Sequence, residues 1–357
     1  MSELSVPPAA HRRIATEEAY APQELIDEYR TLLASGGGDR GFQSLWSYYL
    51  LNESPHTALF RSRITDAGAR RIADMDELGI DHQVLSLTTP GVELLDLPRA
   101  RDLATLTNER IAEATRKHPD RFSGLAAVAL QDVDFSVREL KRAVTDLGLR
   151  GVIVNSHSRG DYLDHPRFEE LWATAAELGV PVYLHPNTPS DGLIDPLLES
   201  GLDGAIFGFA VETGMHLIRI IFSGVFDRYP DLRLVVGHLG EALPFWAFRI
   251  DHFHAVQERT GRYPWRPTLR QRPSEYLKTN IWLTTSGMAW APAIRFAREV
   301  TGPDRVLYAM DYPFQAEASE VLVHEDLPIS AEEKRYLFEE GATNVFGLSA
   351  ACGSPSC

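Results

Sequence analysis

Cysteine is all but missing. The 357-residue chain holds two, Cys352 and Cys357, both close to its end. A disulfide framework or a thiolate metal site in the core is thereby excluded. Long hydrophobic runs are also missing. No stretch approaches the roughly 20 apolar residues that a membrane span needs. Residues 1–13 contain Pro7-Pro8 and no apolar segment of the kind a secretion signal carries. Basic residues are outnumbered, 35 against 50 acids, for a formal charge of -15. That balance argues against non-specific nucleic-acid binding and against attraction to anionic lipid. No glycine-rich phosphate loop follows the first strand-like run, so the usual mark of a nucleotide fold is lacking. The expectation is a cytoplasmic protein that binds neither nucleic acid nor membrane.

What is present suits a large buried core: 44% of residues are hydrophobic and 24% charged. Eight short runs read as strands, over residues 14–17, 82–87, 123–128, 151–154, 181–185, 232–237, 279–285 and 305–310. Between them lie amphipathic stretches. Ile72, Met75 and Leu78 fall on one stripe of residues 69–78, and Phe168, Leu171, Trp172, Ala175 and Leu178 on one stripe of 168–178. Leu78-Gly79, Leu147-Gly148 and Leu178-Gly179 each precede a β-branched run, as a left-handed helix end does. Short strands alternating with helices predict parallel βαβ units. Eight of them predict an α/β fold closed as a (β/α)8 TIM barrel, with an open doubly wound sheet as the alternative. One domain is expected over 13–348, with disordered tails over 1–12 and 349–357. Residues 21–65, rich in aromatics and interrupted by Gly36-Gly37-Gly38, read as an irregular insertion after strand one, either a lid, a subunit contact or a cluster packed on the barrel.

Four strand-like runs end in groups that carry chemistry: Glu17, His185, His238 and Asp311. A barrel brings the carboxyl ends of its strands to one rim, where active sites form. Glu17, His185 and Asp311 there make a hard, oxygen-rich divalent site with one imidazole. Carboxylates favour Mn²⁺ or Mg²⁺, and imidazole admits Zn²⁺, Fe²⁺ and Co²⁺. Three protein ligands leave positions open, as a catalytic site requires. His238 reads as a neighbouring acid or base. Each residue alone has a plainer use: His185 before Pro186 as a loop histidine, Asp311 as a turn-former before Pro313, and one of Glu17 and Glu18 as a solvated acid.

With Glu17-Glu18-Ala19, His185-Pro186, Gly237-His238-Leu239-Gly240-Glu241 and Asp311-Tyr312-Pro313-Phe314 together, the chain resembles the amidohydrolase superfamily in its aromatic-acid decarboxylase branch, the γ-resorcylate and 5-carboxyvanillate decarboxylases among them. The resemblance spans roughly residues 13–348. Ala19 stands where many of these enzymes have a second histidine; that departure, and Val154-Asn155-Ser156-His157 running to Tyr162-Leu163-Asp164, resemble the 5-carboxyvanillate type. The resemblance implies a carbon–carbon lyase: a metal-dependent, non-oxidative decarboxylase of a small ortho-hydroxy aromatic acid. It implies metal ligation by Glu17, His185 and Asp311, with Mn²⁺ first and Zn²⁺ second, since the missing histidine removes a nitrogen ligand. It implies Asp311 or His238 as the proton donor, with Glu241 holding His238. Arg249 matches an arginine that binds the substrate carboxylate across a subunit boundary, in a homodimer or homotetramer; an ion pair with Asp251 or Glu241 is its plainer role. Arg61 or Arg63 would add a second cation, Phe209 and Phe314 would flank the ring, and Asn155 would donate to a phenol or methoxy oxygen. Two other readings stay open: a metal-dependent hydrolase of an ester, lactone or amide, and a non-catalytic barrel that binds an aromatic ligand.

Overall fold

Eight parallel strands form a ring with helices outside it. They are β1 (Ile14–Tyr20), β2 (His82–Leu87), β3 (Phe122–Gly124), β4 (Val152–Asn155), β5 (Val182–His185), β6 (Leu234–Val236), β7 (Ile281–Thr284) and β8 (Val306–Leu307). This computed structural model describes residues 6–348. The tail expected over 349–357, with Cys352 and Cys357, lies outside the described residues, as do residues 1–5. Ladders join β1-β2-β3 and β4-β5-β6-β7-β8 in parallel. Two seams complete the circle. Ala126 N–H donates to Gly151 O at 2.8 Å and Ile153 N–H to Ala126 O at 3.0 Å, which joins the segment after β3 to β4. Thr16 N–H donates to Tyr308 O at 3.2 Å and Ala19 N–H to Tyr312 O at 2.7 Å, which joins β1 to the segment after β8. The expected closed (β/α)8 barrel is therefore the observed one.

The strands are buried almost throughout, as a parallel sheet covered on both faces demands. Helices Ala69–Leu78 and Glu169–Leu178 end where their apolar stripes end. Gly79 and Gly179 close them in the left-handed conformation, φ 65° and 63°, which costs glycine nothing.

Four expectations need correction. The insertion is not irregular: it folds as α1 (Gln23–Ala34), α2 (Arg40–Leu51) and α3 (Pro55–Ile64). Asp39 caps α2 by accepting from Phe42 N–H at 2.7 Å, and Ser54 caps α3. The three helices bury an aromatic cluster of Tyr29, Phe42, Trp46 and Phe60 against the barrel. Glu17 is not the last residue of its strand, because β1 continues to Tyr20. Three steps from Ala15 to Glu18 match two steps on β2, a bulge that re-aims the side chains at this level. The eighth strand is short because its later N–H groups go elsewhere. Tyr308 N–H donates to Leu337 O, Ala309 N–H to Thr285 Oγ1 and Met310 N–H to Glu18 Oε1. Finally, residues 6–12, expected within a disordered tail, are held to the C-terminal part of the chain. His11 stacks on Phe338 at 4.6 Å, and Arg12 N–H donates to Glu339 at 3.1 Å.

Candidate active site

Glu17 is 2% exposed and its two carboxylate oxygens have opposite surroundings. Oε2 accepts from Tyr183 Oη, from Thr284 Oγ1 at 2.8 Å and from Ser286 Oγ at 2.6 Å. Oε1 is buried and accepts no hydrogen bond from the described residues. It lies 3.6 Å from His185 Nε2 and 3.6 Å from His238 Nε2. Ligand atoms of Glu17, His238 and Asp311 fall within 4.8 Å of one another. The mutually close set is thus Glu17, His238 and Asp311, whereas of the expected trio His185 is placed by its approach to Glu17.

The imidazoles are oriented by their other nitrogens. His185 Nδ1 lies 2.8 Å from Pro186 O and His238 Nδ1 lies 2.9 Å from Glu241 Oε1. A proton on each Nδ1 serves those acceptors, so both Nε2 atoms face Glu17. Glu241 therefore holds His238 as expected. The turn carrying His238 is unusual: His238, Leu239 and Glu241 all have φ between 51° and 54°. Ser286 Oγ accepts the His238 N–H at 3.3 Å and steadies it. Asp311 also sits at positive φ, 74°. Its backbone is fixed by Glu18, whose Oε1 accepts from Met310 N–H at 3.0 Å and Oε2 from Tyr312 N–H at 3.3 Å. Glu18 is fully buried, not solvated. Two consecutive glutamates thus serve different ends: Glu17 faces the donor cluster, and Glu18 builds the turn that presents Asp311.

Burial would raise the Glu17 pKa, but His238, His185 and the hydroxyls of Ser286 and Tyr183 outweigh it and hold it below the ordinary value. Burial lowers the His185 pKa, only partly offset by Glu17. Burial opposes charge on His238 as well, yet Glu241, Glu17 and Asp311 push its pKa up to about 10. Burial, assisted by Glu17 and opposed by His238, raises Asp311 well above a normal carboxyl. Acids crowded together with an orphaned buried oxygen are what a bound cation would resolve. Two carboxylates and two imidazole nitrogens suit Mn²⁺ and also admit Zn²⁺. The residues present therefore fit a divalent ion.

The other expected site residues divide. Phe314 packs on Phe60 at 5.0 Å and on Tyr49 at 5.6 Å, three residues beyond Asp311. Tyr49, on α2, feels the Asp311 charge; burial first and then that charge raise its pKa to about 12. Sequence reasoning missed it, because nothing in the insertion marks one aromatic from another. Asn155 is buried at the end of β4, paired in register with His185. Its amide N–H groups already reach Leu87 O and Thr88 O, and Oδ1 is the atom left unpaired. The amide N–H groups expected to meet a substrate oxygen are thus engaged with backbone carbonyls. Arg61 is committed elsewhere: it caps α2 by donating to Tyr49 O at 2.9 Å and Asn52 O at 2.7 Å. Arg63 pairs with Asp74 at 2.8 Å. Both guanidiniums are engaged within the protein, Arg61 through Nη1 and Arg63 through Nε. Phe209 stands half-buried in the first turn of helix Gly208–Phe222. Arg249 is exposed on helix Leu243–Thr260 and lies over the Phe253 ring at 5.1 Å. It pairs with neither Asp251, which accepts from Ser274, nor Glu241. Tyr183, Thr284 and Ser286 were also missed, since each reads as an ordinary residue in or beside a strand.

A family model described as amidohydrolase matches residues 63–348. The γ-resorcylate decarboxylase of Polaromonas sp. (strain JS666 / ATCC BAA-500) is 34% identical over 349 residues, 94% of this chain and 99% of that protein. The crystal structure of 5-carboxyvanillate decarboxylase from Novosphingobium aromaticivorans DSM 12444, complexed with manganese and 4-hydroxy-3-methoxy-5-nitrobenzoic acid, superposes with a TM-score of 0.94. It shares 46% identity over 98% of this chain and 99% of that one. Dihydroxybenzoic acid decarboxylase of Polaromonas sp. JS666, with bound manganese and 2-nitroresorcinol, superposes with a TM-score of 0.83. It shares 33% identity over 96% and 98% of the two chains.

Proposed function

The chain belongs to the amidohydrolase family, and from that premise we propose that it is a manganese-dependent, non-oxidative decarboxylase of ortho-hydroxy aromatic acids, a carbon–carbon lyase. The observation that carries the reading is the orphaned Glu17 Oε1, facing His185, His238 and Asp311 inside a barrel shared with decarboxylases that bind manganese and nitrophenols. Glu17, His185 and Asp311 would hold the ion, with His238 beside them. When bound, the ion supplies positive charge for a carboxylate and its adjacent phenolate, acting as Lewis acid and template.

The chain's own residues do the rest. Phe314, backed by Phe60 and Tyr49, walls one side of the ring site. Asp311 and His238 are the two proton sources at the donor cluster. Transfer of a proton from one of them to the ring carbon that bears the carboxylate breaks aromaticity there. The bond to the carboxyl carbon then breaks, its electron pair restores the ring, CO₂ leaves, and solvent returns the proton. Acid catalysis of this kind contributes about 10²–10⁴-fold. Mn²⁺-loaded protein incubated with a panel of ortho-hydroxybenzoates is expected to give the decarboxylated phenol, read by mass. Asp311→Asn and His238→Asn are each expected to lose CO₂ release. Full turnover by both variants removes the acid assignment, and no turnover of any panel member by the wild type removes the function.

Arg249 gains a place in this scheme only if another chain supplies the site it serves. Its helix presents exposed Phe245, Trp246, Phe248 and Phe253. That is more aromatic surface than a monomer ordinarily leaves in water, and it supports a homodimer through this face. In the dimer Arg249 would reach the substrate carboxylate of the partner's site. Phe248→Asp is expected to yield monomers in light scattering, and Arg249→Ala to raise KM. A Phe248→Asp protein that keeps the wild-type mass and activity rejects this arrangement.

A further inference from the structure

A carboxylate oxygen that accepts three hydrogen bonds has no capacity left for a metal. We infer that Tyr183, Thr284 and Ser286 are positioning residues: together they saturate Glu17 Oε2 and leave Oε1 as the oxygen that meets the ion. The inference rests on the metal-centre reading above and goes further, since it assigns roles to three residues outside the donor set.

Each hydroxyl has one proton to give, and the geometry sends each of the three to the same atom. Tyr183 Oη donates to Glu17 Oε2, Thr284 Oγ1 does so at 2.8 Å and Ser286 Oγ at 2.6 Å. The three oxygens lie close together, Tyr183 Oη 3.1 Å from Thr284 Oγ1 and Thr284 Oγ1 3.0 Å from Ser286 Oγ, and the carboxylate oxygen they share offsets that crowding. Ser286 Oγ also accepts the His238 N–H. The three residues are 1% exposed or less. Packing alone would be served at such positions by phenylalanine, valine and alanine, because barrel interiors are filled mostly by branched apolar side chains. Burying three hydroxyls is unfavourable unless each finds a partner. Here all three find the same one. The clamp also joins the ligands to each other. Tyr183 lies two residues before His185 on β5, and Ser286 links Glu17 to the backbone of His238. Its members come from β5, from β7 and from the residues just after β7, so Glu17 is held from two walls of the barrel.

Outer partners of metal ligands typically set affinity by about 10–100-fold. Mn²⁺ binding to metal-free protein is measured by calorimetry, alongside the unfolding midpoint of the metal-free form. Tyr183→Phe and Thr284→Val, which keep ring and shape, are each expected to weaken binding about 10–100-fold. Thr284→Ser, which restores the hydroxyl, is expected to bind as the wild type does. A purely structural role would lower the midpoint and leave the dissociation constant unmoved; that result for Tyr183→Phe and Thr284→Val overturns the inference. Glu17→Gln separates the two readings. If Glu17→Gln binds Mn²⁺ like the wild type, the metal-centre reading itself fails. If it loses the ion while Tyr183→Phe and Thr284→Val keep it, the clamp alone is wrong.

Discussion

Around Glu17 the packing leaves no room on the side of β6. A Cβ added at Gly237 would stand 2.8 and 2.9 Å from the two carboxylate oxygens, and under 3.0 Å something must move. The carboxylate cannot easily move, since three hydroxyls hold Oε2. Gly237 itself has φ -65°, which alanine adopts without strain. Gly237→Ala therefore changes one thing, the space beside the ligand. It is expected to weaken Mn²⁺ binding about 10–100-fold while the metal-free protein unfolds near the wild-type midpoint, as calorimetry and a thermal melt would read. An unchanged dissociation constant would mean that Glu17 is not confined. The same residues show what a sequence reveals at this scale. Glu17, His185, His238 and Asp311 stand out in the sequence because a polar group closing an apolar run has no packing reason to be there, and the fold brings Glu17, His238 and Asp311 within 4.8 Å of one another and His185 to 3.6 Å from Glu17. Arg61, Arg63 and Asn155 carry no such mark, because a cation or an amide looks the same in sequence whether it meets a substrate, a carboxylate or a backbone carbonyl. The difference lies in which acceptors the fold brings to 2.9, 2.8 and 3.2 Å, and that is tertiary information.

At the scale of elements, the insertion α1–α3 is where sequence and structure part most. Its helices carry their stripes: Leu25, Ile26, Tyr29 and Leu33 on α1, and Phe42, Trp46 and Leu50 on α2. Exposed Tyr48 and Leu51 blur the second stripe, and the triple glycine between the helices reads as a break into irregular chain. The barrel elements were easier because their strands and helices repeat one pattern. The fold of the insertion depends on Trp46, which is fully buried and meets Tyr29 at 4.7 Å and Phe60 at 6.3 Å. Trp46→Ala is expected to cost about 3–5 kcal/mol. Because the cluster belongs to the insertion, hydrogen exchange should accelerate first over residues 23–64, with β4 to β7 still protected. Tyr49 and Phe314 rest on the same aromatic cluster, so KM should rise with that local loosening. Equal loss of protection in the barrel would show that insertion and barrel unfold as one unit.

For the molecule as a whole, the closed ring was legible from eight repeated units, and two of the marked runs, 123–128 and 305–310, already contain seam residues. Backbone bonds at Ala126 and Tyr308 lie beyond the observed β3 and β8 but inside those runs. Stability across the whole ring is tied to pH by two histidines outside the donor cluster. His82 opens β2, with its nitrogens 3.1 Å from Asp120 O and 3.0 Å from Ser123 Oγ. His324 packs edge-on against Tyr308 at 5.0 Å, with Nδ1 2.6 Å from Glu320 O and Nε2 buried without a partner. Burial, opposed in each case by a backbone carbonyl, lowers both pKa values to about 4. In the unfolded chain each would titrate near about 6.5. Above that pH neither state binds the proton, and the histidines add no pH dependence. Between about 6.5 and about 4 the unfolded chain takes up protons that the folded protein refuses, so stability falls as pH falls. The loss approaches roughly 3 kcal/mol per histidine at the bottom of the window. His324→Phe keeps the ring in its aromatic contacts and removes that titration. Melting midpoints recorded for both proteins from pH 7.5 to pH 4.5 are expected to run parallel above about pH 6.5, where every other group titrates alike in the two. Below it the wild type's acid limb should be the steeper one. An acid limb as steep as the wild type's would mean that the buried imidazole of His324 is already protonated in the fold, contrary to its apolar surroundings.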